Sequence, residues 1–417
     1  MNDKLNPFFS GILFKVLSSF NQGELRLTLP DGTSHCYGNG DGAPRAEIQV
    51  KDPEFFRKCV LHGNVGLGEA YVLGHWETPD IRAVIEWFAI NVASQKDAKG
   101  VAVQEKMVGF LRLFDRMSHL KRKNTRDGSR RNIEEHYDLG NDFYRLWLDS
   151  SMTYSCARFT DSAESLEEAQ NNKYEALCRK LQLKKEDHVL EIGCGWGGFS
   201  IYAAGKYGCR ITGVTISPAQ LEEAVARVKA AGLEDLIELR LQDYRDIEGQ
   251  FDKIASIEML EAVGDEHLKT WCQKVNEVLK PNGLVAVQMI TVADRDHKTL
   301  RKGTDFIQKH IFPGSLLLSV GRMNEAFNAT GDLFLHGLED MGTSYHRTLR
   351  HWYENFNGRL AEVKALGFDE QFVRKWNYYL KYCEAGFSAR TISVVQGVYT
   401  RPYNAAELTK ENGVAII

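Results

Sequence analysis

The sequence predicts an α/β fold with a Rossmann-like, mostly parallel sheet, preceded by a small N-terminal α+β domain. Three observations lead there. From about residue 160, short apolar runs alternate with amphipathic segments, the order that strands and their covering helices take in a parallel sheet. The first of those runs, VLEIG (189–193), leads into a turn with Gly193, Gly195, Gly197 and Gly198 within six residues. Before residue 95 the pattern differs, with a hairpin signal flanked by helical segments.

The chain opens on NPFFSGILFKVLSSF (6–20), whose apolar residues Phe8, Phe9, Ile12, Leu13, Phe14, Val16, Leu17 and Phe20 cover most of a helix circumference. Such a helix is either buried in protein or in touch with lipid. It falls short of the roughly 20 apolar residues of a membrane span, and it has neither a basic leader nor a small-residue cleavage site. In GELRLTLPDGTSHCYG (23–38), Leu25, Leu27 and Leu29 alternate around Pro30-Asp31-Gly32, which reads as a β-hairpin. A helix from Asp52, a Gly-rich loop, a second helical piece and the helix DIRAVIEWFAINVA (80–93) complete a domain over residues 1–95.

Residues 96–130 read as a basic helical linker. Its stretch LRLFDRMSHLKRKNTRDGSRR (111–131) carries Arg112, Arg116, Lys121, Arg122, Lys123, Arg126, Arg130 and Arg131 against Asp115 and Asp127. This is either a solvated bridge or a contact with anionic head groups, worth roughly 1 kcal/mol per basic residue near a charged surface.

The main domain, 131–402, begins with a helix over 162–183 that sets Tyr174, Leu177 and Leu181 on one face. Strands are predicted at HVLEIG (188–193), RITGVTIS (210–217), IELRLQD (237–243), FDKIASIEML (251–260) and GLVAVQMIT (283–291). Helices are predicted at 197–208, 218–232 and 268–280. The tail, 403–417, has little pattern.

Composition narrows the function. With 43% hydrophobic and 26% charged residues the chain is ordinary for a globular protein, and its net charge of −4 gives no nucleic-acid footprint. Eight cysteines without CxxC spacing and twelve histidines without HExxH point to no metal and to reduced, cytoplasmic thiols.

Gly193, Gly195 and Gly198 satisfy GxGxxG, the dinucleotide fingerprint. An NAD site also wants an acidic residue at the end of the next strand, and here that strand ends on Thr215. S-adenosylmethionine (SAM) is the alternative. It needs the same close backbone approach, and its carboxylate suits N–H groups near a helix N-terminus. Glu191 would face its amino-acid end or the turn.

Longer motifs resemble one family. EEHYDLGNDFYRLWLDSSMTYSCARF (134–159), VLEIGCGWGGFS (189–200), GVTIS, LQDYRD, FIQKHIFPG (306–314) and SYHRTLRHWYENF with WNYYLKYCEAGFSAR are similar to cyclopropane-fatty-acyl-phospholipid synthases, over roughly residues 45–402. The resemblance implies a SAM-dependent methyltransferase fold and transfer of a methylene to the cis double bond of a phospholipid acyl chain. It implies Tyr137, Tyr154 and Ser155 as a lid over SAM, and Thr215, Ile216 and Gln220 around its ribose. Asp243 and Tyr244, with Gln242 beside them, would border adenine. Ser155 and Gln220 also read simply as helix-end or surface residues.

The family's base is a bound bicarbonate, and Cys156, Glu261 and Tyr345 match its cage. Gln288 stands where many members carry a cage histidine, and it can donate but not titrate. Ala262 follows the glutamate where many members have histidine. Cys383 is expected near the cage with no chemical step assigned, and Cys156 reads equally as a buried structural thiol. The aromatic residues Tyr345, Trp352, Tyr353, Phe356, Trp376, Tyr378, Tyr379, Tyr382 and Phe387 serve either as core or as an apolar, cation-stabilising tunnel.

The basic linker and the apolar first helix lead to the expectation of peripheral contact with the anionic inner face of the membrane, and homodimer formation stays open. Rival readings are a product with a methylene or methyl branch, an NAD(P) oxidoreductase, and a non-catalytic lipid-binding protein.

Overall fold

The computed structural model describes residues 7–96, 139–301 and 303–405. Tyr137 and the basic linker lie outside them. The described residues divide into two compact units that interleave in sequence: 7–96, 303–311 and 357–391 form one, and 139–301, 312–356 and 392–405 the other. The expected main domain therefore does not run unbroken from 131 to 402.

In the first unit the predicted hairpin forms. Strands β1 (Glu24–Thr28) and β2 (Ser34–Gly38) pair antiparallel, with Leu25 and Leu27 buried, and Asp31 accepts the Thr33 N–H inside the turn at 2.8 Å. β3 (Arg45–Val50) adds parallel to β1, and the short β4 (Trp76–Glu77) closes the edge in the order β2-β1-β3-β4. The first helix, Pro7–Leu17, buries Leu13 and Leu17 against this unit and leaves Phe8 67% exposed. Neither it nor any other helix among the described residues is long and apolar enough to cross a membrane. The expected Gly-rich loop is a kink within the helix Glu54–Val72, where Gly63 takes a positive φ of 55°.

The helix Glu370–Ser388 packs into this first unit. Its rings form a column, with Phe372 and Trp376 stacked at 5.4 Å and Trp376 edge-on to Tyr379. Trp376, Tyr379 and Phe387 are thus core here, the plainer of the two expectations.

The second unit carries a seven-stranded sheet in the order β10-β11-β9-β8-β5-β6-β7. β5 (His188–Ile192), β6 (Arg210–Thr215), β7 (Ile237–Leu241), β8 (Phe251–Ile257) and β9 (Leu279–Val292) are parallel. β11 (Ile392–Thr400) runs antiparallel between β9 and β10 (Phe334–Asp340). Each predicted strand forms with shifted ends: β5 stops one residue early, β6 and β7 two, and β8 three, at Ile257, while β9 begins four residues early, at Leu279.

Helices cover both faces. Leu166–Leu181, capped by a reciprocal Ser165–Glu168 box, packs with Gly198–Tyr207 over one core, and Leu268–Val278 buries Trp271, Cys272 and Val275 in the other. Trp271→Ala should therefore lower unfolding free energy by about 3–5 kcal/mol in urea denaturation.

Candidate active site

All five parallel strands end on the same edge of the sheet, the place where open α/β folds bind ligands. At the end of β8 the chain departs from the strand. Glu258 takes a left-handed φ of 49°, uncommon for a residue with a side chain, while its N–H still donates to the Gln288 carbonyl at 2.8 Å. This turn sends the Glu258 carboxylate to three donors. Oε1 accepts the Cys156 N–H at 2.9 Å and the Gln288 amide at 2.8 Å; Oε2 accepts the Tyr345 hydroxyl at 2.6 Å. Burial raises the Glu258 pKa, and the donors oppose that shift.

The residues expected to cage bicarbonate thus converge, but on a carboxylate of the protein. Cys156, Gln288 and Tyr345 give their donors to Glu258, which the sequence reading passed over as strand interior. An additional anion among them would face a buried carboxylate of like charge, so the residues present do not fit bicarbonate.

Glu261 follows in a short 3-10 turn (Leu260–Ala262). Its Oε1 accepts the Ile290 N–H, while its buried Oε2 has no hydrogen-bond partner among the described residues. Burial, then the charge of Glu258, raises its pKa to about 8. It stands beside the cage as a neighbouring carboxylic acid.

The Cys156 thiol is buried, donates to the Ala157 carbonyl at 3.1 Å and is raised well above its usual pKa by burial, so it is no ready nucleophile. Cys383 belongs to the first unit, whereas the cage lies in the second, because its helix packs with the N-terminal segments.

The cofactor side is built from the ends of β5, β6 and β7. After β5, Gly193, Gly195 and Gly197 all take positive φ. A Cβ added at Gly195 would meet nothing within 4 Å, whereas one at Gly198 would sit 2.4 Å from the Tyr174 hydroxyl. The first glycine keeps a surface open; the second lets the following helix close on its neighbour. Buried Glu191 accepts the Ser200 hydroxyl, and burial raises its pKa to about 8.

At the end of β6 the Thr215 hydroxyl donates to Gln220 Oε1 at 3.0 Å, with Ile216 half-buried between them in sequence. Gln242 N–H bonds the Thr215 carbonyl at 2.9 Å, joining the ends of β7 and β6. Asp243 accepts the Arg245 N–H at 2.9 Å, and the Arg245 guanidinium lies over the Tyr244 ring. This side therefore fits SAM: an uncovered backbone turn, a polar pair and an aromatic residue at successive strand ends.

Between the two sides lies the segment around Tyr154. Its ring packs on Trp352 at 5.3 Å and Tyr144 at 5.5 Å, and Trp352 in turn meets Tyr345 edge-on at 6.1 Å. Ser155 accepts Lys173 Nζ at 2.8 Å. Lys173 is fully buried and was not foreseen, although it shares the apolar face of its helix with Leu177. Burial lowers its pKa to about 8, against the opposing pull of Glu258, Asp149 and Glu191.

Solved structures assign the class. Cyclopropane synthase MmaA2 from Mycobacterium tuberculosis matches with a TM-score of 0.61 at 27% identity, covering 65% of this chain and 98% of that one. Mycolic acid cyclopropane synthase CmaA1, complexed with SAH and CTAB, matches with the same TM-score at 28% identity and the same coverage. The molecule is a SAM-dependent methyltransferase, and the oxidoreductase and non-catalytic readings fall away.

The family follows from the sequence comparisons. The model of mycolic acid cyclopropane synthetases matches residues 124–397. Cyclopropane-fatty-acyl-phospholipid synthase of Escherichia coli K12 is 36% identical over 87% of this chain and 89% of its own. Tuberculostearic acid methyltransferase UfaA1 of M. tuberculosis is 36% identical over 90% and 88%. The chain belongs to the mycolic acid cyclopropane synthetase family.

Two outcomes are expected here. Gly195→Asp should abolish SAM binding in calorimetry while leaving the fold intact, because Asp tolerates left-handed backbone and its carboxylate fills the open surface. Glu261 should make stability fall with rising pH. Its folded pKa of about 8 exceeds the ordinary carboxyl value of 4.5, so its contribution is complete below pH 4.5 and is lost as pH rises through about 8. Urea denaturation across that range should show a shallower slope for Glu261→Gln.

Proposed function

We propose that the chain transfers one carbon from SAM to the cis double bond of a phospholipid acyl chain, with Glu258 as the base that completes the reaction. The observation carrying this reading is the buried Glu258 carboxylate, held on both oxygens by Cys156, Gln288 and Tyr345. SAM supplies an electrophilic methyl group. Two of the relatives, the E. coli phospholipid synthase and the tuberculostearic acid methyltransferase, bear names that support an acyl substrate.

The chain's own residues divide the work. The turn at Gly193–Gly197 and the Thr215–Gln220 pair hold and orient SAM, and Asp243 and Tyr244 border its base. Methylation of an alkene leaves a carbocation on the acyl chain. The faces of Tyr154, Tyr345 and Trp352 stabilise such a cation by about 0.5–2 kcal/mol each and exclude water that would otherwise trap it. Glu258 then takes a proton from the added methyl group. Its raised pKa brings it toward the range in which a general base works best.

If the freed C–H pair closes directly onto the cation, the product is a cyclopropane. If a hydride first shifts to the cationic carbon from the methyl-bearing one, the same proton loss leaves a methylene branch on the open chain. We assign the cyclopropane, because direct closure needs no step beyond proton loss to Glu258. The enzyme meets its lipid peripherally, at an anionic membrane surface.

Incubation with methyl-labelled SAM and vesicles of cis-unsaturated phospholipid should add one labelled CH2 per acyl chain. Proton NMR separates the cyclopropyl from the methylene isomer. Glu258→Gln should lower kcat by roughly 10²–10⁴-fold, the usual worth of a general base, with SAM affinity unchanged in calorimetry. Unaltered turnover in that variant would remove Glu258 from the chemistry.

A further inference from the structure

The donor that Gln288 gives to Glu258 depends on which way its amide faces. Turned by half a rotation, it would set its oxygen against the carboxylate. Gln288 sits opposite Gln396 in the β9–β11 register, and both are fully buried. Gln288 Oε1 accepts the Gln396 amide at 2.9 Å, and Gln396 Oε1 accepts Lys180 Nζ. Lys180, 8% exposed, is paired in turn with Glu339, which also holds Arg158 at 2.8 Å.

The direction of this chain is dictated at one end. An ammonium has three donors and no acceptor, so only the oxygen of Gln396 can face Lys180. The Gln396 NH2 is then left for Gln288, whose oxygen must turn to receive it. The Gln288 NH2 is thereby committed to Glu258 Oε1 at 2.8 Å and to the Cys156 carbonyl at 3.2 Å. No link can be reversed without opposing two like groups in the interior, where an unmade hydrogen bond is costly.

We propose that Lys180 and Gln396 are positioning residues for Glu258: the ammonium orients two buried amides in series so that a donor always faces the base. The proposal rests on the reading of Glu258 as the base. The same donor favours the ionised carboxylate, so the relay also sets the pH at which the base becomes active. The other groups facing Glu258 are Lys173 from the helix Leu166–Leu181, Glu261 from its own turn, Cys156 from the preceding segment and Tyr345 from the helix Gly342–Gly358. None of these lies on the Lys180 path.

The test is the pH profile of kcat in four variants of the full chain. Gln396→Glu keeps the shape but accepts from both sides, so Gln288 must turn its NH2 away from Glu258. Its ascending limb should move up by about one pH unit, the scale of one charge-assisted hydrogen bond, and kcat below that limb should fall about tenfold. Lys180→Met should shift the limb the same way by less, and Lys180→Arg, still a pure donor, should restore the wild-type limb. SAM affinity should stay constant throughout, which reports intact folding. If Gln396→Glu fails that control, Gln396→Leu, which removes the orienting link without adding charge, is read the same way.

A wild-type limb in both Gln396→Glu and Lys180→Met, alongside an inactive Glu258→Gln, overturns the relay and leaves the base reading standing. An active Glu258→Gln overturns both.

Discussion

One carboxylate organises the catalytic half of this molecule. Glu258 leaves the end of a parallel strand in a left-handed conformation that costs roughly 1–2 kcal/mol. In return three segments distant in sequence converge on it: the backbone at Cys156, the side chain of Gln288 and the hydroxyl of Tyr345. A buried carboxylate without such partners would simply take up a proton. With them it is held in place and ionisable, which is what proton transfer to a fixed base requires.

The fold serves that arrangement. Parallel strands bring the glycine turn after β5, the Thr215–Gln220 pair after β6 and Glu258 after β8 to one edge. β11 inserts antiparallel beside β9, and this alone sets Gln396 opposite Gln288. The glycine turn, the Thr215–Gln220 pair and the Glu258 carboxylate therefore rest on neighbouring strands. Elements this rigid keep a site within the small tolerances that catalysis needs.

Much of this was legible in the sequence. Alternating apolar runs locate the five parallel strands, and the glycine turn with Thr215 in place of an acid favours SAM over NAD. Glu258 was not legible, because FDKIASIEML reads as one strand through residue 260, and nothing in its pattern announces a left-handed residue at the eighth position. β10 escaped notice because its alternation is inverted: Phe334 and Leu338 face outward at 43% exposure each. The aromatic column around Trp376 was visible as a helical stripe. Its membership of the first unit depends on long-range packing that periodicity does not report. Lys173 was visible too, as a lone charge on an apolar helix face, but the value of that signal appears only once Ser155 and Glu258 are seen nearby.

The claim that matters most is that the protein's own carboxylate occupies the role that the family resemblance assigns to a bound anion. Shortening it tests this directly. In Glu258→Ala the three donors remain without their acceptor, so added formate or bicarbonate should restore turnover in a saturable way, while the wild-type enzyme should respond to neither. A Glu258→Ala enzyme that is fully active without added anion, or a wild-type enzyme whose rate depends on bicarbonate, would contradict the account.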